Sequence, residues 1–110
     1  MRDMTLHEIC DAFDVSRRAV QGYEKAGLVA PTGRNERSYL LYNEKAQERI
    51  KTIRMYQQMG FTIKEIAVII DAPDDILKHA LKTQIIKLTE NRDKLEMTTR
   101  KMQTMIKELQ

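Results

Sequence analysis

At 110 residues the chain is long enough for one domain with a modest core and too short for two ordinary domains or for most large enzyme architectures. It is 42% hydrophobic but only 5% aromatic, with seven Met, four Gly, two Pro and no Trp, so burial must come from aliphatic side chains on a mainly helical chain. A single cysteine excludes an internal disulfide and a four-cysteine zinc site and suits a reducing cytoplasm. No apolar run has membrane-spanning length, and the net charge of +3 permits a nucleic-acid partner without establishing one.

Thr5-Leu6-His7-Glu8 has the form of a capping box, with Thr5 and Glu8 each satisfying a backbone N–H of the other's end. Leu6, Ile9, Cys10 and Phe13 follow at helical spacing and form one core-facing stripe ending near Phe13. Only Asp14 and Val15 separate this helix from the next, which Ser16 caps, Val15 staples onto Val20, and Gly27 ends. So short a connection is that of a helix-turn-helix. On the second helix Val20 and Tyr23 point one way, while Arg17, Arg18, Gln21, Gly22 and Lys25 share the other side.

Leu28-Val29-Ala30 and Tyr39-Leu40-Leu41-Tyr42 are β-prone runs around a Gly- and Asn-containing turn, Pro31 to Ser38, and predict a small hairpin or wing with Arg34 and Arg37 at its tip. Asn43 is placed to cap a third helix through about Met59, with Ala46, Ile50 and Ile53 inward and Gly60 as its stop. Phe61, Thr62, Glu65 and Ile66 repeat the staple and capping-box pattern and open a short fourth helix.

Pro73 disfavours helix at Ala72, and Asp71, Asp74 and Asp75 read as complements to a helix N-terminus, because they lack the alternating ligands and closing Glu of a calcium loop. From Asp75 to Gln110 there is no Gly or Pro. A continuous helix over that stretch would be roughly 54 Å long. Leu81, Leu88, Leu95, Met102 and Leu109 recur every seventh residue, and Ile85 and Ile106 lie four beyond two of them, a narrow coiled-coil-like seam with Arg92 and Thr99 in its middle. A lone helix with such a stripe needs a partner, so the seam predicts a homodimer. The expected division is 1–72 for the head and 73–110 for the dimerisation helix, and the fold class is mainly α: a winged helix-turn-helix head of four short helices and a β-hairpin, then one long helix.

The cations Arg17, Arg18, Lys25, Arg34 and Arg37 suit a helix in the major groove of double-stranded DNA and a wing on the neighbouring backbone. A solvated charged face is the plainer reading of such residues; the short turn, stapled cap and adjacent wing favour DNA. His7 and Cys10 are better explained by the apolar stripe than by a metal. Met97, Met102 and Met105 form either an adaptable docking surface or a seam with exposed flanks. No Ser-His-Asp constellation, phosphate-cradling Gly loop or zinc-protease helix is present, so no enzyme activity and no cofactor are expected.

Met4 to Ile70 resembles the DNA-binding head of the MerR family of regulators. The resemblance runs through Val15-Ser16, an Arg-Tyr-Tyr-Glu-like segment, Gly27-Leu28-Val29-Ala30-Pro31, a Tyr-Arg-x-Tyr-like segment and Gly60-Phe61-Thr62-Ile63-Lys64-Glu65-Ile66. The remainder is similar to the family's long dimerisation helix, especially in members like the multidrug-transporter activators. The resemblance implies that Arg17, Arg18 and Tyr23 belong to the recognition helix, Arg34, Arg37 and Tyr39 to the wing, and Tyr42 to a phosphate contact. Ser16, Gln21 and Lys25 of the same helix complete the expected DNA-binding set, with Gln21 either reading adenine through its amide or facing water. Tyr23 and Tyr39 have an equally weighted second reading as core aromatics. The chain departs from the family pattern at Gln21-Gly22, where Arg-Tyr is usual, and at Leu40, where Arg is frequent.

The resemblance implies a cytoplasmic transcriptional regulator that binds a palindromic promoter as a homodimer with antiparallel long helices and distorts the DNA so that RNA polymerase can engage it. The effector-binding segment that the family usually appends has no room within these residues, so no small-molecule ligand is expected of them. Two alternatives are a protein-binding adaptor with a degenerate recognition helix, suggested by Gln21, Gly22 and Leu40, and an architectural, excision-type DNA-binding protein.

Overall fold

A computed structural model describes residues 2–110, which divide into a head running to Asp71 and a second unit, Ala72–Gln110. The elements of the head are β1 (Met4–Thr5), α1 (Leu6–Phe13), α2 (Arg17–Lys25), β2 (Gly33–Arg34), β3 (Leu40–Tyr42), α3 (Glu44–Gln58) and α4 (Ile63–Ile69). The second unit is one helix, α5 (Asp74–Glu108).

Every helix of the head begins as its capping residues dictate. Thr5 Oγ1 accepts from Glu8 N at 3.3 Å while Glu8 Oε1 accepts from Thr5 N at 3.0 Å, and Thr62 and Glu65 repeat the exchange at 3.2 and 2.9 Å. Ser16 Oγ takes Ala19 N at 3.0 Å, and Asn43 Oδ1 takes Ala46 N at 2.9 Å. Asp14 closes α1 in the left-handed region (φ 49°), which a short polar side chain tolerates and which turns the chain into α2 within two residues.

Two glycines stop helices by the same device. After α2, Gly27 (φ 76°) donates to Glu24 O at 2.9 Å and Leu28 N to Tyr23 O at 3.0 Å. After α3, Gly60 (φ 94°) donates to Gln57 O at 2.9 Å and Phe61 N to Tyr56 O at 3.1 Å. This is the paired terminal hydrogen bonding of a left-handed helix stop, and at the second one the Tyr56 and Phe61 rings meet edge to face, 6.0 Å apart.

The sheet is small, antiparallel and ordered β1-β3-β2, with Met4 opposite Tyr42, Thr5 opposite Leu41, Gly33 opposite Leu41 and Arg34 opposite Leu40. Two expectations are corrected here. The strand leading into the wing is Gly33–Arg34, not Leu28–Ala30, because Leu28 is buried as the apolar residue after the Gly27 stop and its carbonyl accepts from Arg49 Nε at 2.8 Å. A third strand, β1, also exists, two residues long and fused directly to the N-cap of α1.

Ile9, Val20, Tyr23, Tyr42, Ile50, Ile53 and Ile66 are fully buried and fill the centre of the head. Gln47 is buried among them; its Nε2 donates to Tyr42 O at 2.8 Å and Arg2 O at 2.9 Å, tying α3 to the central strand β3 and to the segment that leads into β1. Asp71 differs from its expected capping role. Its carboxylate forms a two-pronged pair with Arg49, at 2.6 and 2.8 Å, which holds the end of the head against α3. That pair keeps the Asp71 carboxyl below the ordinary carboxylate range.

α5 has 35 residues and spans roughly 52 Å at 1.5 Å per residue. Every residue from 85 to 110 is exposed, the seam leucines Leu88, Leu95 and Leu109 included. Among the described residues no helix is long and apolar enough to cross a membrane.

Candidate nucleic-acid interface

α2 presents the face that its sequence spacing predicts. Val20 and Tyr23 are fully buried, whereas Arg17, Arg18, Gln21, Gly22 and Lys25 are all exposed. At 100° per residue, Arg18 and Lys25 lie almost opposite the buried pair, with Gln21 and then Arg17 on one flank and Gly22 on the other. Arg18 and Lys25 make no ion pair with any described residue, so their charge is open to an outside partner. Ser16 is also exposed, but its hydroxyl oxygen is committed to the N-cap.

Gly22 costs about 0.5–1 kcal/mol relative to Ala in the middle of a helix. A Cβ there would meet nothing within 4 Å.

The wing carries its side chains in a fixed frame. Asn35 Oδ1 accepts from Arg37 N at 2.9 Å and Tyr39 N at 3.0 Å, and Ser38 turns the chain with φ 64°. Arg34 Nη1 donates to Ser38 O at 2.7 Å, so one of the two wing arginines is partly spent on holding the tip, while Arg37 is exposed beside it. Tyr39 is 58% exposed, which takes it out of the core and leaves it on the wing surface. Leu40 is half-buried.

Two tyrosines are corrected. Tyr23 is fully buried and its hydroxyl donates to Gln57 Oε1 of α3, so it takes the core place of its two readings. Tyr42, which the resemblance assigns to a phosphate, is also fully buried, and its hydroxyl donates to Glu24 Oε1 of α2. Neither ring has free surface for DNA; each ties α2 to a neighbouring element instead. Burial pushes both hydroxyls above the ordinary tyrosine range, and Glu24 pushes Tyr42 further. Glu24 and Gln57, the two acceptors, went unmarked in the sequence because nothing local shows that a tyrosine 18 or 34 residues away will reach them.

The assembled face therefore has four unencumbered long arms on α2, Arg17, Arg18, Gln21 and Lys25, and a framed wing with Arg37 and Tyr39 outward. Cations of this kind position a helix on phosphates, and an amide such as Gln21 can pair with a base edge.

The family model described as "MerR HTH family regulatory protein" matches residues 4–72, and that described as "MerR, DNA binding" matches residues 47–110. The mercuric resistance operon regulatory protein of Bacillus cereus is 30% identical over 67 residues, which cover 61% of this chain and 51% of that protein. The chain spans about half the length of the first curated relatives it matches. Among solved structures, a MerR-family transcriptional regulator from Bacillus cereus superposes with a TM-score of 0.86 at 23% identity, covering 97% of this chain and 82% of that one. The N-terminal part of MtaN, the multidrug transporter activator of Bacillus subtilis, superposes with a TM-score of 0.76 at 22% identity, covering 94% and 97%. The fold is theirs, and the family match extends over both the head and the long helix: the chain belongs to the MerR family of DNA-binding transcriptional regulators.

Proposed function

We propose that the chain binds a palindromic promoter site as a homodimer and acts by distorting the DNA between its half-sites. The observation that carries the reading is the exposed face of α2, where Arg17, Arg18, Gln21 and Lys25 stand opposite a fully buried Val20 and Tyr23. α2 enters the major groove, with Gln21 towards a base edge and the cations on phosphate. The wing rests Arg37 and Tyr39 on the adjoining backbone, with Arg34 divided between the wing tip and the DNA. RNA polymerase is the further partner that a promoter-distorting regulator would serve.

Dimerisation is supported by α5. Ile85, Leu88, Leu95, Met102, Ile106 and Leu109 are all exposed on one helix at seven- and four-residue spacing, with Leu81 half-buried at the start of the series. A second copy of the same stripe removes that surface from water. A two-fold dimer matches the symmetry of a palindromic site.

Duplexes selected from a randomised pool, titrated against scrambled DNA at several salt concentrations, test the reading. Affinity should be specific for an inverted repeat, with log K falling by about 0.9 per phosphate contact for each unit of log[salt]. Energy transfer between dyes at the duplex ends should change on binding, since distortion alters their separation. Absence of DNA binding, or binding that ignores salt, overturns the DNA reading. Specific binding with unchanged dye separation overturns distortion alone.

A further inference from the structure

Gly22 lies on one flank of the exposed face of α2, yet nothing inside the protein asks for a glycine there. The two usual internal reasons are both absent. Its backbone is not in the left-handed region, where among the described glycines only Gly27 and Gly60 lie, and an added Cβ would touch no atom within 4 Å. A helix interior that keeps glycine without an internal need points to a need outside the chain.

The neighbours of Gly22 on the helix surface say what lies outside. Arg18 is four residues before it and Lys25 three after it, both exposed and both without an ion-pair partner among the described residues. The helix thus carries a bare patch of backbone between two free cations, a combination suited to a polyanionic strand packed close against it. Immediately before Gly22 is Gln21, whose amide can pair with adenine through two hydrogen bonds once the helix brings it to the base edge in the major groove.

We propose that Gly22 is a clearance residue for DNA: it lets one sugar–phosphate strand approach α2 between Arg18 and Lys25 more closely than a side chain would allow, and so brings Gln21 within reach of an adenine edge. This deepens the DNA-binding reading above and rests on it. Specificity then comes from a short-range contact by Gln21 set by the depth of the helix, with the cations at 18 and 25 holding the strand that limits that depth.

The test uses Gly22→Ala and Gly22→Leu, both of which favour helix, on the full chain with the selected inverted-repeat duplex. Both variants should unfold at a temperature equal to or above that of the wild type. Affinity for the selected duplex should fall at least tenfold for Ala and further for Leu, and the preference for adenine at one half-site position, lost in Gln21→Ala, should be lost in both. A Gly22→Ala protein with wild-type affinity and wild-type adenine preference overturns the proposal, as does a lowered unfolding temperature, which would mean that the fold itself needs the glycine. If the wild-type protein does not bind the duplex, the earlier reading fails and this one with it. If the wild type binds and Gly22→Ala binds equally, only this one fails.

Discussion

Tyr42 on β3 donates its hydroxyl to the Glu24 carboxylate on α2, a hydrogen bond between the strand that carries the wing and the helix that carries the recognition face. With Tyr23 bound to Gln57 on its other side, α2 is held from both the sheet and α3. α2 is therefore tied to the wing-bearing strand and to α3 by two buried phenols, and its exposed residues take no part in those ties.

Tyr42→Phe removes that hydrogen bond while keeping the ring. Its absence should cost about 1–2 kcal/mol of folding stability, since the acceptor is charged but partly exposed. In a head of this size that corresponds to several degrees in unfolding temperature. Thermal unfolding followed by circular dichroism measures it, and an unchanged midpoint would show that Glu24 and Tyr42 do not tie the wing to α2.

Arg18→Ala should leave the unfolding temperature unchanged, because the side chain is exposed and has no ion-pair partner in the head. DNA affinity should fall, and removing one phosphate-neutralising cation from each protomer should make the salt slope of the dimer shallower by about 1.8, about 0.9 per contact. Loss of helical signal instead would mean that this face of α2 packs inside the protein.

Leu95 is 60% exposed at the middle of the seam. Leu95→Asp should convert the protein to monomers in light scattering and weaken binding to the inverted repeat far more than binding to a single half-site. A mass unchanged from that of a wild-type dimer would refute the seam.

Acid should loosen the N-terminus of the head first. Arg2 beside Glu8, together with the Thr5 N–H, holds the Glu8 carboxyl down to about 2, against an ordinary value of 4.5. A folded-state value below the unfolded one adds stability that is full above the ordinary carboxylate range and is lost as the pH falls from there towards 2. Denaturant midpoints of the wild type should therefore drop between about pH 5 and about pH 2.5 more steeply than those of Glu8→Gln. Parallel curves would exclude Glu8 as a contributor.

Much of the head was legible because its signals are local. Thr5 with Glu8, Ser16, Asn43, Thr62 with Glu65, Gly27 and Gly60 each act within about five residues, and each does in the structure what its neighbours in sequence imply. The exposed face of α2 was equally legible, since helical spacing alone separates Arg18 and Lys25 from Val20 and Tyr23. The wing was legible as a hairpin but misplaced by one strand. β propensity in Leu28-Val29-Ala30 was outweighed by the burial of Leu28 behind the Gly27 stop, and a two-residue strand such as Met4–Thr5 has too little pattern to be seen before its partner is known.

The sequence by itself determined where the helices of this protein start and stop, which face of α2 is basic, and that α5 carries an apolar stripe it cannot cover alone. These follow from capping, spacing and heptad periodicity, all of which are short-range. Only the tertiary structure decided that Tyr23 and Tyr42 lie inside, that Asp71 pairs with Arg49 across 22 residues instead of capping α5, and that Gly22 has empty space around it. Those depend on which distant groups share a volume, and whether a phenol meets water, a carboxylate or a neighbouring helix is settled only when the chain has packed.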